Sequence, residues 1–416
     1  MRAKVLILMA VTIVVGSACA RGGTAADRTT RSLPSETLLL QTPSGPISVE
    51  SPSGRIVLSA TGSMASPDGS EVISASSDGA STVVSVEDPE TGKVRARTSA
   101  PGDLEVRSVA SGGSPVALMA PVPAGTDPWA PVPRERTRIV VVDPYRHLDA
   151  RTYDLDGNFE PDAFSSDGTR LFLLQYFPAA APSLYQVTVL DLIRGKVGAV
   201  YGPLKTPTER MPGTRLAQVR APFGTTLYTL YTSEQPGFAP HGLPVPRNAE
   251  VSFVHMLDLA QGFAHCLVLP DVFWHRPGSA EAMALSPDGG RLFVVDSGLG
   301  AVTVFDTSSF ETLATVRLGT EIPDAVRTSA AVSDDGASLF VAAGRSILRI
   351  DTASLQLRSM FEASADVTGL GVSSEGSLYA AVGGELEVLD PSTGSSVGVV
   401  PVPTPSPILQ VTTLAA

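Results

Sequence analysis

Seven times along the chain, an apolar alternating run ends in aspartate. The copies are VVSVED at Asp88, RIVVVD at Asp143, VTVLD at Asp191, VHMLD at Asp258, VTVFD at Asp306, ILRID at Asp351 and LEVLD at Asp390. Period-two alternation of β-branched residues marks each run as a strand with one buried face. The successive spacings are 55, 48, 67, 48, 45 and 39 residues. A second landmark lies upstream of most copies: Ser66-Pro67-Asp68-Gly69, Ser166-Asp167-Gly168, Ser286-Pro287-Asp288-Gly289, Asp334-Asp335-Gly336 and Ser374-Glu375-Gly376. It is degraded to Ser111-Gly112-Gly113 in the second unit and to Phe223-Gly224 in the fourth. Asp-Gly supplies the positive-φ position that a tight turn between strands demands.

Residues 284–319 hold the least disturbed unit. They read as four short strands, at 284–286, 291–296, 301–306 and 312–318, separated by turn residues. One such antiparallel meander cannot bury both faces of its sheet. Units recurring at this period do so by packing on one another around an axis. A β-helix or a pair of sandwiches leaves the complete four-strand unit unexplained. The expected fold is all-β, a seven-bladed β-propeller of four-stranded antiparallel meander blades over residues 47–416. The strand-ending aspartates are expected to hold backbone amides of the next turn. They stand on seven different blades, too far apart to share one ion.

Composition agrees with this reading. Hydrophobic residues make up 43% and charged residues only 17%, with 38 Gly and 34 Pro, which suits short strands and tight turns. The formal charge of −12 argues against nucleic acid and against electrostatic docking on anionic lipid.

Residues 1–18 read as a processing signal: Arg2 and Lys4 are basic, residues 5–15 are apolar, and Gly16-Ser17-Ala18 precede Cys19. The segment resembles a bacterial lipoprotein signal, although Gly16 stands where leucine is usual. That resemblance implies cleavage before Cys19 and a lipid, palmitate among its acyl chains, carried on Cys19. The alternative is an ordinary secretory signal cleaved nearby. Residues 19–46 read as a flexible tether. The expected location is the cell membrane, lipid-anchored on the extracytoplasmic side, or the exterior if secreted. Cys266 lies in an apolar run and reads as a buried inert thiol.

The unit at 284–319 resembles the YVTN-type, WD40-like repeat of seven-bladed propellers. So do Asn158-Phe159-Glu160-Pro161-Asp162-Ala163-Phe164 and residues 332–351. The resemblance implies an exported or surface propeller, and some relatives resemble lactone-hydrolysing enzymes. Ring closure is left with two candidate segments, 47–58 and 408–413, and an extra strand there could seed an eighth, partial blade.

The uneven spacings point to a binding face. In a meander blade, the loops between strands two and three share a face with the blade-to-blade connections. The extra residues of blades two, three and four fall in those loops, at 120–135, 177–183 and 235–248. All three are Pro-rich, come from adjacent blades, and are expected to form one raised wall. They carry Trp129, Arg134, Phe238 and His241, and aromatics with arginine suit an interface. The blade connections are expected to set Glu160, Arg210, His275, Arg276, Asp324 and Asp366 around the channel mouth.

No metal or phosphate motif appears among the residues, and no cofactor is expected. Gly394-Ser395-Ser396-Val397-Gly398 matches a nucleophile elbow in letters but sits in a hairpin turn with no helix pattern after it. Three functional readings follow. The first is a monomeric, non-enzymatic binding module for an envelope protein or extracellular ligand. The second is a propeller hydrolase resembling lactonases, acting at the channel mouth. The third is a scaffold subunit of an envelope complex.

Overall fold

The computed structural model describes residues 33–414, apart from 124–130, 147, 203–209, 234–250, 275–277, 323–326, 374, 403 and 405–406. The chain is an all-β propeller of four-stranded antiparallel blades, and there are eight blades rather than seven. Blades 1 to 7 follow the aspartate landmarks in order. Their innermost strands are Met64–Ala65, Glu105–Val109, Asn158–Phe164, Thr214–Arg220, Glu281–Leu285, Thr328–Val332 and Val367–Val372.

Blade 8 closes the ring with strands from both ends of the propeller. Gln410–Thr413 is innermost, followed outward by Glu36–Thr42, Gly45–Ser51 and Arg55–Ser59. Leu38 pairs with Thr413 and Leu40 with Val411 in an antiparallel register. Both leucines are fully buried, against Tyr379, Leu386 and Val388 of blade 7. The tether expected to run to residue 46 therefore ends before Glu36. The apolar run Leu38–Leu40 is a strand because its side chains have a neighbouring blade to pack on. Both closure candidates, 47–58 and 408–413, contribute to this one blade.

Blade 8 escapes an aspartate count for a local reason. In six of the other blades the amide four residues after the landmark donates to its carbonyl, as Gly92 N does to Asp88 O at 2.8 Å. In blade 8 the same bond runs from Gly54 N to Glu50 O at 2.7 Å. Glu50 thus occupies the landmark position, and its side chain pairs with Arg55 across the turn.

The seven aspartates do what their position implies. Asp88, Asp143, Asp191, Asp258, Asp306, Asp351 and Asp390 each accept at least one amide of the following turn. Hydroxyl and amide donors from Ser308 and Ser309 hold the Asp306 carboxyl down at about 2. Ser392 and Thr393 do the same for Asp390, also at about 2. The Ser-x-Asp-Gly turns are equally local. Ser286 Oγ donates to Asp288 at 2.5 Å and accepts from Arg291 N at 2.9 Å, while Gly289 takes φ +71°.

Apolar clusters fill the seams between consecutive blades from 1 to 8. The seam joining blades 8 and 1 is more polar, and there Ser48 Oγ donates to Pro89 O. At the closing seam the inner strands approach very closely. A Cβ on Gly371 would lie 2.2 Å from Val411 O, and one on Gly369 would lie 2.6 Å from Leu409 C. Only glycine lets the last strand lie this near its neighbour.

Three outcomes are expected. Leu40→Ala is expected to cost about 2–5 kcal/mol in urea denaturation, as a core truncation does; a change below about 0.5 kcal/mol would return Leu40 to a tether. Gly371→Val is expected to destabilise by at least about 1–3 kcal/mol through overpacking, with loss of cooperativity if the seam opens. The depressed carboxyls of Asp306 and Asp390 contribute stability above the unfolded carboxylate value. That contribution is lost as pH falls from about 4 toward about 2, so the thermal midpoint should drop in that window, and Asp306→Asn should flatten the drop.

Candidate ligand-binding mouth

On the loop-bearing face, hydrogen bonds join the described parts of the blade 2 and blade 3 loops; the blade 4 insertion at 235–248 lies outside the described residues. Arg134 N, in the blade 2 loop, donates to Ala179 O of the blade 3 loop at 3.1 Å. Asn158 Nδ2 donates to both loops, to Val132 O at 2.8 Å and to Ala179 O at 3.1 Å. The connection from blade 3 to blade 4 joins the same structure. Met211 and Tyr185 exchange two backbone bonds of 2.8 Å, and the Arg210 guanidinium lies over the Phe177 ring at 3.8 Å. A planar cation on an aromatic face is a favourable contact in its own right. These segments form one continuous rim.

Charged side chains line the inner strands beneath this rim. Glu160 reaches between two arginines. Its Oε2 accepts from Arg134 Nη1 at 2.8 Å, and its Oε1 lies 2.9 Å from Arg107 Nε. The Arg107 N–H is not aligned for a hydrogen bond in that pair, so the contact is electrostatic. Arg107 Nη1 is also 2.9 Å from Glu105 Oε1, which accepts Val122 N at 3.3 Å. One level deeper, Asp162 Oδ1 accepts from Arg215 Nη1 at 3.1 Å and Gln218 Nε2 at 3.2 Å. The Asp162 side chain is only 4% exposed. Every one of these contacts except Arg107–Glu105 and Glu105–Val122 joins different blades.

Local backbone irregularity aims these groups. The register of the inner strand shifts between Val106 and Ser108 in blade 2, which leaves Arg107 as the extra residue. In blade 3 it shifts between Pro161 and Ala163, leaving Asp162. In blade 4 it shifts between Arg215 and Ala217. Blades 5 and 6 have regular inner strands. A β-bulge turns a side chain away from its normal face, and here bulges fall on or beside the charged residues.

Arg220 ends the inner strand of blade 4 and lies lowest. Burial pulls its guanidinium down to about 10, opposed by the nearby charges of Asp162 and Asp68. Desolvation likewise pushes the Tyr176 phenol up, with Arg215 and Glu160 close by.

No protein-family profile and no curated protein sequence matches the chain. Among solved structures it is similar to apo AztD from Citrobacter koseri, at a TM-score of 0.54 and 10% identity over 91% of this chain and 98% of that one. A second structure of Citrobacter koseri AztD gives 0.54 and 10%, over 92% and 98%. The dihydro-heme d1 dehydrogenase NirN in complex with DHE gives 0.47 and 13%, over 82% and 65%. At such identities the likeness to AztD is one of fold, and it is the propeller fold.

Of the residues expected at the binding face, Arg134 and Glu160 are brought into direct contact. Arg210 stands on the same rim. Asp366 lies beside Gly344 of blade 6, away from that cluster, and is exposed. Trp129, Phe238, His241, His275, Arg276 and Asp324 lie outside the described residues, as does Cys19. Glu105, Arg107, Asp162, Arg215, Gln218 and Arg220 were not anticipated. Their signal was alternation in the first strand of a blade: Glu160 and Asp162 alternate with the buried Phe159, Pro161 and Ala163. Ser395 and Ser396 sit where a hairpin turn enters an outer strand, Ser396–Pro401. Cys266 is buried, 3.7 Å from the Met211 sulfur. Among the described residues no group of three His, Cys, Asp or Glu could hold a metal ion.

Glu160→Ala strands two partly buried guanidiniums and is expected to lower stability by about 1–3 kcal/mol. Glu160→Gln, which keeps an acceptor, should cost less. Equal stability for both variants and the wild type in urea denaturation would mean the brace is not a structural one.

Proposed function

We propose that the chain is an exported, divergent YVTN-like propeller acting as a non-enzymatic binding module. In this reading a lipid on Cys19 tethers it to the membrane, and its partner is an envelope protein or an extracellular ligand. The observation that carries the binding reading is the interlocked rim of blades 2 to 4 above the Glu160–Arg107–Arg134 cluster. Hydrogen bonds between loops hold the rim in shape before a partner arrives, which lowers the ordering cost of binding. Both oxygens of Glu160 are already engaged by guanidiniums, an arrangement that favours electrostatic docking over proton transfer. The tether reading rests on the basic, apolar and small-residue sequence before Cys19. No helix among the described residues is long and apolar enough to cross a membrane.

Two measurements test this. Partner capture by the full chain from its native envelope is expected to be lost when residues 178–182 are trimmed or Arg134→Ala is introduced, while the fold is kept and the thermal midpoint falls only by the modest amount that losing these rim contacts costs. Undiminished capture by both variants would remove the rim from the binding face. Incorporation of labelled palmitate is expected in the wild type and not in Cys19→Ser; label retained in that variant would overturn the lipid anchor.

A further inference from the structure

On the face opposite the rim, turns of different blades touch. Gly112 N of the blade 2 turn donates to Asp68 Oδ2 of the blade 1 turn at 3.0 Å. The blade 4 turn reaches past blade 3: a Cβ on Gly224 would lie 3.1 Å from Ser111 Oγ of blade 2. Turns from blades 1, 2 and 4 therefore converge beneath the axis. Arg220 sits just above them, with its Cδ 3.8 Å from that same Cβ position. The charges of Asp162 in blade 3 and Asp68 in blade 1 favour its charged form.

The charges of this well are paired level by level, except at the bottom. Glu105 and Glu160 meet Arg107 and Arg134 at the top. Asp162 meets Arg215 and Gln218 in the middle. Asp68 is occupied by Ser66, Ser70 and Gly112. Arg220 makes no hydrogen bond or ion pair among the described residues, although most of it is withdrawn from solvent. A guanidinium carries five donors in a planar fork, and leaving them unmet in a half-buried site is unfavourable. Arg215 and Arg220 lie about 15 Å apart along their strand.

We propose that Arg220 anchors the carboxylate of a small organic monoacid that enters from the rim and lies along the well. The planar fork matches a carboxylate, which offers two acceptors in one plane. Asp68 and Asp162 stand near enough to oppose an added negative charge, and a phosphate dianion meets twice the repulsion of a monocarboxylate. The remainder of the ligand then faces Gln218, Arg215 and the Glu160 cluster, whose polar groups suit a hydroxylated or amide-bearing tail. This extends the binding-module reading from the rim to the well.

The test uses the full chain and follows the thermal midpoint and titration heats with sodium acetate and with inorganic phosphate, sodium chloride holding ionic strength constant. The wild type is expected to bind acetate saturably and more tightly than phosphate. Arg220→Gln is expected to weaken acetate binding by about 10- to 100-fold. Without acetate its midpoint should stay close to that of the wild type, since no hydrogen bond or ion pair is lost. Arg220→Lys keeps the charge without the fork, is expected to bind at intermediate affinity, and serves should the glutamine variant not fold. No saturable acetate binding by the wild type, or equal binding by wild type and variants, overturns the proposal. Tighter binding of phosphate than acetate overturns the carboxylate assignment. Each of these results is independent of partner capture by the rim, so a failure here leaves the rim experiment to decide the wider reading.

Discussion

Closure of blade 8 is the constraint on which the rest of the molecule depends. Four-stranded blades have apolar faces that only neighbours can cover, so an open ring leaves two of them in water. The chain solves this without a covalent link. Gln410–Thr413 pairs with Glu36–Thr42, and Leu409 N and Leu414 N extend the ladder to Gln41 O and Thr37 O. Gly369 and Gly371 let that last strand settle against blade 7. The closing interactions are long-range in sequence, and their formation completes the apolar core against blade 7 and the more polar seam against blade 1.

The blades of the ring differ, and an inner-strand bulge alone does not mark the polar ones, since blade 7 is bulged between Val367 and Gly369. Blades 5 and 6 have regular inner strands and short loops. Blades 2 to 4 have bulged or irregular inner strands, long connections between strands two and three, and the cross-blade ion pairs. These features reinforce one another. A bulge turns a charged side chain toward a neighbour, and the neighbour's opposite charge compensates for its loss of water. Irregularity that weakens a plain blade here becomes a polar surface around the channel.

Much of the fold was legible because its determinants are local. An Asp at the end of a third strand binds amides two and three residues on, and a Ser-x-Asp-Gly turn closes within six residues. Such devices leave their mark in contiguous sequence. A complete eighth blade was not counted, only the possibility of a partial one, because Glu50 replaces the aspartate and because its inner strand comes from the far end of the chain. The site was less legible for the same kind of reason. Arg134 and Glu160 could be assigned to one face from loop position. That Arg107 and Arg134 share Glu160, or that Arg215 reaches Asp162, depends on distances between blades.

The sequence by itself determined the blade, its turn chemistry, the direction of the meander and the blades that carry extra loops. Each of these follows from alternation, from Asp and Gly at turns, or from residue spacing. Tertiary structure alone decided the number of blades, the partners of the channel charges and the isolation of Arg220. Those depend on how far each blade is rotated from the next and how closely the inner strands approach. That geometry is the sum of many side-chain contacts across the seams, so no single stretch of the chain encodes it.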